Sequence, residues 1–373
     1  MQRGSGRGML TPRERIEAAL HGAWADQVPF SIYWNMLPRG DVERRLRNEG
    51  LAVVEWVRPY RVEMPNVEVA TRDVYRNGVP MRIETVQTPV GDVCSVLRQE
   101  SGYGTSWWRV EHPIKRPEDY GVVEFMLADT RFVPAHDACR LAQERLGEDG
   151  YVFARLLDVP MHRMMYEFMG IERFSFDLYE RPNDFFRLHE LLWAKHREAI
   201  ALAAESTTEF IMCGTNFHQD MIGLKRFEEY YVPYLNEVAD ELHAAGKLVA
   251  CHFDGPMSSL VGAVKDLRID VVEALTPPPT CDVSVAEARA AWPDKVLWIN
   301  FPSSVHAEPP DVIRRHTREI LSQAAPGARF LMGVTENVPE SAWRTSLTQI
   351  SEIIRDEGRL PLQAEFGQSQ EMK

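Results

Sequence analysis

Leu248-Val-Ala-Cys-His-Phe-Asp-Gly255 is an apolar run that ends abruptly in a histidine and an aspartate two residues apart, then a glycine. The helix-like segment before it stops at Gly246-Lys247. A buried parallel strand reads this way, because its interior positions are apolar on both faces and its polar residues collect where the strand gives way to a loop. In α/β folds, closed or open, the working residues sit at those strand ends, so His252 and Asp254 are the first candidates for chemistry. The competing reading of a lone histidine at a strand end is a hydrogen-bonded structural residue.

Similar apolar runs recur in both directions along the chain, at 28–34, 151–156, 210–213, 271–275, 296–300 and 330–334. Amphipathic segments separate them at 183–204, 224–245, 283–291, 311–323 and 340–356, and further helices are predicted at 117–127 and 135–146. Near the start, Thr11 can cap a helix, Pro12 suits its first position and Glu14 completes a capping box, which predicts a helix to about residue 22. A charged helix is expected over 41–48. Repeating β-α units of this size imply a parallel sheet with helices outside. Because the strands persist along the whole chain, a (β/α)8 TIM barrel is favoured over an open sheet.

Residues 51–110 differ in texture. Alternating runs at 67–75, 81–87 and 93–99 are broken by Asn77-Gly78 and by Pro89-Val-Gly-Asp92, the pattern of antiparallel hairpins, so a β-rich insertion near the N-terminus is predicted there. Trp107 and Trp108 close it; packing is the first reading of the pair, a lid or pocket wall the second. The expected organisation is one barrel domain over 10–362, with a disordered tail at 1–9 and a frayed one at 363–373.

Composition narrows the function. The chain has 373 residues, 45% of them hydrophobic, enough for a large core. No apolar run approaches the roughly 20 residues that span a bilayer, and the first residues lack the apolar centre of a signal peptide, so a cytoplasmic protein is expected. The net charge is −13, from 42 basic and 55 acidic residues, without a basic cluster; nucleic acid and anionic membrane are therefore poor partners. Cys94, Cys139, Cys213, Cys251 and Cys281 form no CxxC pair and are odd in number, which fits a reducing compartment. Cys213 and Cys251 read as small core residues.

The strand ends carry the polar residues. The run at 210–213 leads to Asn216, His218 and Asp220; the run at 248–252 gives His252 and Asp254; 271–275 carries Glu273; 296–300 ends in Asn300; 330–334 leads to Glu336 and Asn337. In a barrel these ends converge on one face. A histidine among carboxylates can hold a divalent metal such as zinc, manganese or iron. Equally, crowded carboxylates raise one another's pKa and one can serve as a proton donor without metal. His218 reads either as a ligand or as a solvent-facing loop residue, and Asp220 either reaches the pocket or caps the following helix. Arg155 and Asp158 follow the strand near 151, as a salt bridge or as substrate contacts. Met161, Met164, Met165 and Met169 lie at helical spacing and read as core.

Several stretches together resemble the uroporphyrinogen decarboxylase superfamily, which also contains cobalamin-dependent methyltransferases: Thr11-Pro-Arg-Glu-Arg with Val28-Pro, His112-Pro-Ile-Lys with Pro117-Glu-Asp, Phe227-Glu-Glu-Tyr-Tyr-Val-Pro-Tyr-Leu, Gly246-Lys before His252, and Gly333-Val-Thr-Glu-Asn-Val-Pro. The resemblance covers about residues 10–357 in the right order. It implies a (β/α)8 barrel and, by analogy with relatives, a homodimer. True decarboxylases carry Arg-Gln-Ala-Gly-Arg-Tyr after the first strand, where this chain reads Ile32-Tyr-Trp-Asn-Met-Leu-Pro-Arg39-Gly. Without those cationic forks a polycarboxylated tetrapyrrole has little to hold it. The methyltransferase branch binds zinc through His-x-Cys and a later cysteine; here His252 matches the histidine, Asp254 stands in the first cysteine position and Glu336 falls near the second. Two carboxylates in place of two thiolates make a harder site, suited to polarising an oxygen.

The resemblance thus implies a methyltransferase acting on a small methoxylated or methylated compound. Its metal, zinc by analogy, would be held by His252, Glu336 and either Asp254 or Glu273, and the methyl acceptor would be a corrinoid on a separate partner protein. Asn216, His218, Asn300 and Arg155 are the expected substrate contacts. The alternative is a metal-free decarboxylase or lyase of a small carboxylic acid, with Asp220 or Asp254 as proton donor. A third class, a non-catalytic binding protein, fits least, because buried unpaired carboxylates are costly to keep without a use.

Overall fold

The computed structural model describes residues 9–99, 107–214 and 216–363; of the tails expected at 1–9 and 363–373, residues 1–8 and 364–373 lie outside them. The chain divides into two compact units, one formed by 1–57, 137–155 and 207–373, the other by 58–136 and 156–206.

The first unit contains a closed barrel of eight parallel strands: β1 (Phe30–Tyr33), β2 (Ala52–Val57), β3 (Gly150–Arg155), β4 (Phe210–Cys213), β5 (Leu248–His252), β6 (Val271–Leu275), β7 (Val296–Asn300) and β8 (Phe330–Val334). Neighbours in sequence are neighbours in the barrel, and β8 closes on β1. The predicted (β/α)8 architecture is therefore the observed one. β2 is the exception in detail: Ala52–Val57 was expected within the β-rich insertion and instead pairs with β1 and β3 as a barrel strand.

Side chains alternate in and out along each strand. The inward positions Tyr33, Ala52, Val54, Tyr151, Phe153, Phe210, Met212, Ala250, Val271, Val296, Trp298 and Leu331 form one buried apolar cluster. Cys213 and Cys251 lie opposite each other on β4 and β5, out of phase with that cluster and fully buried, as core residues. All five cysteines are free thiols. The first helix, Pro12–Leu20, carries the predicted capping box between Thr11 and Glu14. The predicted helix over 224–245 is interrupted: Leu224–Arg226 leads into a wider turn at Phe227–Tyr231 before Val232–Ala244. No helix among the described residues is long and apolar enough to cross a membrane.

The second unit carries the predicted hairpins as a four-stranded antiparallel sheet of Glu68–Arg76, Val79–Thr88, Gly91–Gln99 and Trp107–Glu111. Asn77 and Gly78 both adopt positive φ, the two-residue turn that their sequence predicts. Trp107 lies under the Arg82 guanidinium, while Trp108 is half exposed, so only one of the pair packs. Tyr60–Glu63 pairs with Arg131–Pro134, and Asp119–Asp129, Ile171–Glu180 and Pro182–Ala204 are the long helices. Met161, Met164, Met165 and Met169 are buried, in agreement with a core role.

Candidate active site at the carboxyl ends of the barrel strands

At the top of the apolar cluster, which Tyr33 on β1 joins, the inward positions by strand alternation make up a ring of Tyr33, Trp56 on β2, Arg155 on β3, Gly214 just beyond β4, His252 on β5, Glu273 on β6, Asn300 on β7 and Gly333 on β8. Six side chains and two glycines meet at the strand ends, and the Trp298 indole occupies the place a side chain at Gly333 would need. The apolar interior thus turns polar within a single layer.

His252 and Glu273 are direct partners across β5 and β6. The His252 Nδ1 lies 2.5 Å from Glu273 Oε2, and its Nε2 lies 3.4 Å from Asp254 Oδ2. Behind Glu273, the Tyr33 hydroxyl donates to Oε1 at 2.7 Å. Glu273 is completely buried, and both of its carboxyl oxygens have a hydrogen-bond partner there. Burial opposes charging the His252 ring, but Glu273 and Asp254 outweigh it and push the imidazole up to about 10. Burial, with Glu273 beside it, drives the Tyr33 phenol well above its ordinary range, so it stays a donor.

Glu336, in the loop after β8, completes the cluster on the Asp254 side. Its carboxyl is pushed up chiefly by burial, a hydrogen bond with Ser303 acts against this, and Asp254 adds repulsion while His252 relieves it. Cys281, in the loop after β6, donates its thiol to the Asp254 carbonyl at 3.2 Å. Burial and then the charges of Asp254 and Glu336 push that thiol up to about 12, so it is not a thiolate nucleophile.

The backbone around Glu273 is unusual. Ala274 has φ of +58°, and the register of β6 against β7 shifts between Glu273 and Leu275. This bulge sets Glu273 at its place in the ring. Beyond β5, Phe253 stacks on Phe217 at 4.6 Å, and a Cβ on Gly255 would stand 2.6 Å from the Phe217 carbonyl oxygen, so the β4 and β5 loops meet where only glycine fits.

The other expected site residues take different places. Asn300 is fully buried and spent on structure: its amide donates to Thr276 Oγ1 at 3.1 Å, and its oxygen accepts the Thr335 N–H at 2.9 Å. It braces the loops after β6 and β8 instead of facing a ligand. Asp220 is exposed in the short helix Gln219–Ile222, 3.8 Å from His218 Nδ1, and Asn216 is also exposed. The reason is that the chain turns outward at Phe217, which packs against Phe227, Tyr231 and Phe253. Arg155 does lie in the ring, its guanidinium 5.3 Å from the centre of the Trp56 ring. Tyr33, Trp56 and Cys281 were not singled out from sequence; the first two could have been found by extending strand alternation to β1 and β2.

His252 Nε2, Asp254 and Glu336 are the groups that could approach a divalent cation. In the structure as it stands no three or more His, Cys, Asp or Glu side chains among the described residues are gathered closely enough to hold a metal. The donor chemistry nonetheless suits one. Two half-buried carboxylates, Asp254 and Glu336, share the His252 ring as their neighbour, and Glu273 fixes the far nitrogen of that ring, as carboxylates do behind metal-bound histidines. A cavity of about 520 Å³ lies at the opposite end of the barrel, lined by Arg13, Glu17, Arg140, Glu144 and Tyr151; its arginines are paired with its glutamates and it contains no histidine.

Residues 103–353 match the family model of uroporphyrinogen decarboxylase (URO-D). Among solved structures, the chain is similar to a methyltransferase from Methanosarcina mazei, with 14% identity and a TM-score of 0.55, over 93% of this chain and 99% of that one. It is also similar to a glycoside hydrolase family 5 enzyme from Prevotella bryantii, with 8% identity and a TM-score of 0.46, over 94% and 99% of the two chains. No curated protein sequence matches it.

Proposed function

Because the chain belongs to the uroporphyrinogen decarboxylase family, we propose that it is an enzyme that moves a methyl group from a small methoxylated or methylated compound to a corrinoid carried by a separate protein. The observation that carries this reading is the two-sided setting of His252: Glu273 holds Nδ1, and Nε2 faces Asp254 on the side where Glu336 lies. A pocket that pairs one imidazole with two carboxylates at its open side is built to act on an oxygen atom. The Methanosarcina mazei neighbour, named a methyltransferase, is consistent with it.

His252 Nε2, Asp254 and Glu336 would hold a divalent metal, with zinc the first candidate. When bound, such an ion draws electron density from the oxygen that the methyl group leaves. The remaining work falls to the chain itself. Glu273 accepts the Nδ1 proton of His252 and so presents Nε2 to the pocket; Tyr33 holds Glu273 from behind. Asn300 locks the loops that bear Thr276 and Glu336, and the fixed ring spares the reaction the cost of reorienting it.

Equilibrium dialysis of chelator-treated protein against zinc tests the site. Binding near one equivalent, weakened at least tenfold in both His252→Ala and Glu336→Ala, supports the reading; unchanged affinity in both variants refutes it. One observation favours the alternative, a metal-free decarboxylase or lyase: His252, with Glu273 at one ring nitrogen and Asp254 near the other, is placed to deliver a proton to a carbanion left by CO2. Release of CO2 by the metal-free protein would select it.

A further inference from the structure

At the opposite end of the barrel, where the strands begin, Tyr151 lines the cavity of about 520 Å³. It is the second residue of β3, 5% exposed, with its ring edge-on to Phe210 at 6.2 Å. Its hydroxyl has no hydrogen-bond partner among the described residues. A phenol buried to this degree ordinarily finds one, because an unsatisfied hydroxyl is costly to keep. A hydroxyl that opens onto a cavity instead is available to a ligand.

The charged groups around it differ in how far they are committed. Arg13 holds Glu17 at 2.8 Å and Arg140 holds Glu144 at 2.7 Å, so these two pairs cancel. The carboxylate of Glu209, the residue before β4, meets His21 Nε2 through Oε2 at 3.3 Å, and its other oxygen is uncommitted. Lys247 feels that charge from outside the lining. After burial itself, the charges of Glu209 and then Glu17 push the Tyr151 phenol further above its ordinary range, with Arg13 acting against them. The free hydroxyl thus sits among acceptors. Cys139 and Val152 add buried apolar surface to the same lining.

The volume falls within the roughly 300–1,000 Å³ of small-molecule sites. A divalent ion would ask for about six oxygens converging on one point. One uncommitted carboxylate and one phenol suit instead an ammonium that carries an apolar body. We infer that this end of the barrel holds a ligand site for a small organic ammonium: its N–H groups donate to Glu209 and to the Tyr151 hydroxyl oxygen, and its carbon body lies against Val152 and Cys139. The site stands apart from the cluster at His252 and does not depend on the reaction proposed there.

Calorimetric titration of the full chain with 2-phenylethylamine, and with 2-phenylethanol as its uncharged counterpart, tests the site. The ammonium is expected to bind at least about tenfold more tightly than the alcohol, the usual worth of one charge-assisted hydrogen bond. Glu209→Gln removes that preference, and Tyr151→Phe weakens the amine roughly fivefold. His252→Ala and Glu336→Gln, at the other end of the barrel, leave the preference in place. Glu209 is half exposed, so its variant is expected to fold, and an unchanged circular dichroism spectrum verifies this; should Tyr151→Phe not fold, Glu209→Gln decides alone. Equal affinities for amine and alcohol, no saturable binding of the amine, or a preference that survives Glu209→Gln overturns the inference. A preference lost in Glu336→Gln and kept in Glu209→Gln places the amine at the other end and overturns it equally.

Discussion

His252 and Glu273 face each other across two neighbouring parallel strands, and their side chains meet at 2.5 Å in a place where Glu273 has no exposure to solvent. Either group would be costly to bury there without its partner. Their pairing, braced by Tyr33 below and opened to Asp254 above, makes one rigid unit out of residues supplied by three strands and a loop.

Tyr33→Phe removes the donor to Glu273 Oε1 without altering the ring's packing. A buried carboxylate that loses one hydrogen bond costs about 1–3 kcal/mol, so urea unfolding is expected to show a loss in that range. Turnover should fall with little change in KM, since Tyr33 acts through Glu273 and His252 and not on the substrate.

Glu336→Gln should separate stability from function. The carboxyl is pushed up by burial and repelled by Asp254, so an uncharged amide is expected to raise the stability of the fold at neutral pH. The same variant should lose zinc affinity and activity. Thermal unfolding beside the dialysis measurement checks both halves.

Ala274, fully buried at φ +58°, occupies backbone space that costs a side chain roughly 1–2 kcal/mol. Ala274→Gly is therefore expected to leave stability within about 1 kcal/mol of the parent or above it. Ala274→Val, β-branched in the same conformation, should lose more than about 2 kcal/mol and displace Glu273, with activity falling in step.

His306 contributes to the acid limit of stability. It is buried beside Phe301, its Nδ1 bonded to Ser346 Oγ at 2.6 Å, and burial pulls its ring down to about 4. The unfolded chain takes up the proton near 6.5, the folded one only near 4, so the contribution is complete above about 6.5 and lost as pH falls toward 4. That difference is worth on the order of 3 kcal/mol. A pH series of unfolding free energies should be flatter over that window in His306→Asn than in the parent.

How far the sequence could be read depends on which signal each residue carries. The barrel was legible because apolar strands and amphipathic helices alternate along the chain, and because Thr11, Glu14, Asn77 and Gly78 obey local rules of capping and turning. β2 was hidden, since Ala52–Val57 precedes the hairpins and reads as part of them until β1 and β3 are seen to claim it. His252, Asp254, Glu273 and Glu336 stood out as polar ends of apolar runs. Asn300 stood out by the same rule and serves structure, because its partners Thr276 and Thr335 lie in loops whose approach no spacing encodes. Asp220 and His218 were drawn into the pocket by order in the sequence, while the loop around the packed Phe217 leaves Asp220 exposed and His218 half-buried. Tyr33 and Cys281 reach the cluster only through tertiary proximity.

The most direct measurement of the central claim is the consumption of cob(I)alamin, followed by its absorbance, by zinc-loaded protein supplied with a methoxylated aromatic acid, in parallel with His252→Ala. The expected result is loss of cob(I)alamin matched by formation of the demethylated product, slowed at least about 100-fold in the variant. Cob(I)alamin left unconsumed while the zinc-loaded protein releases CO2 from the same acid, or methyl transfer undiminished by His252→Ala, would contradict it.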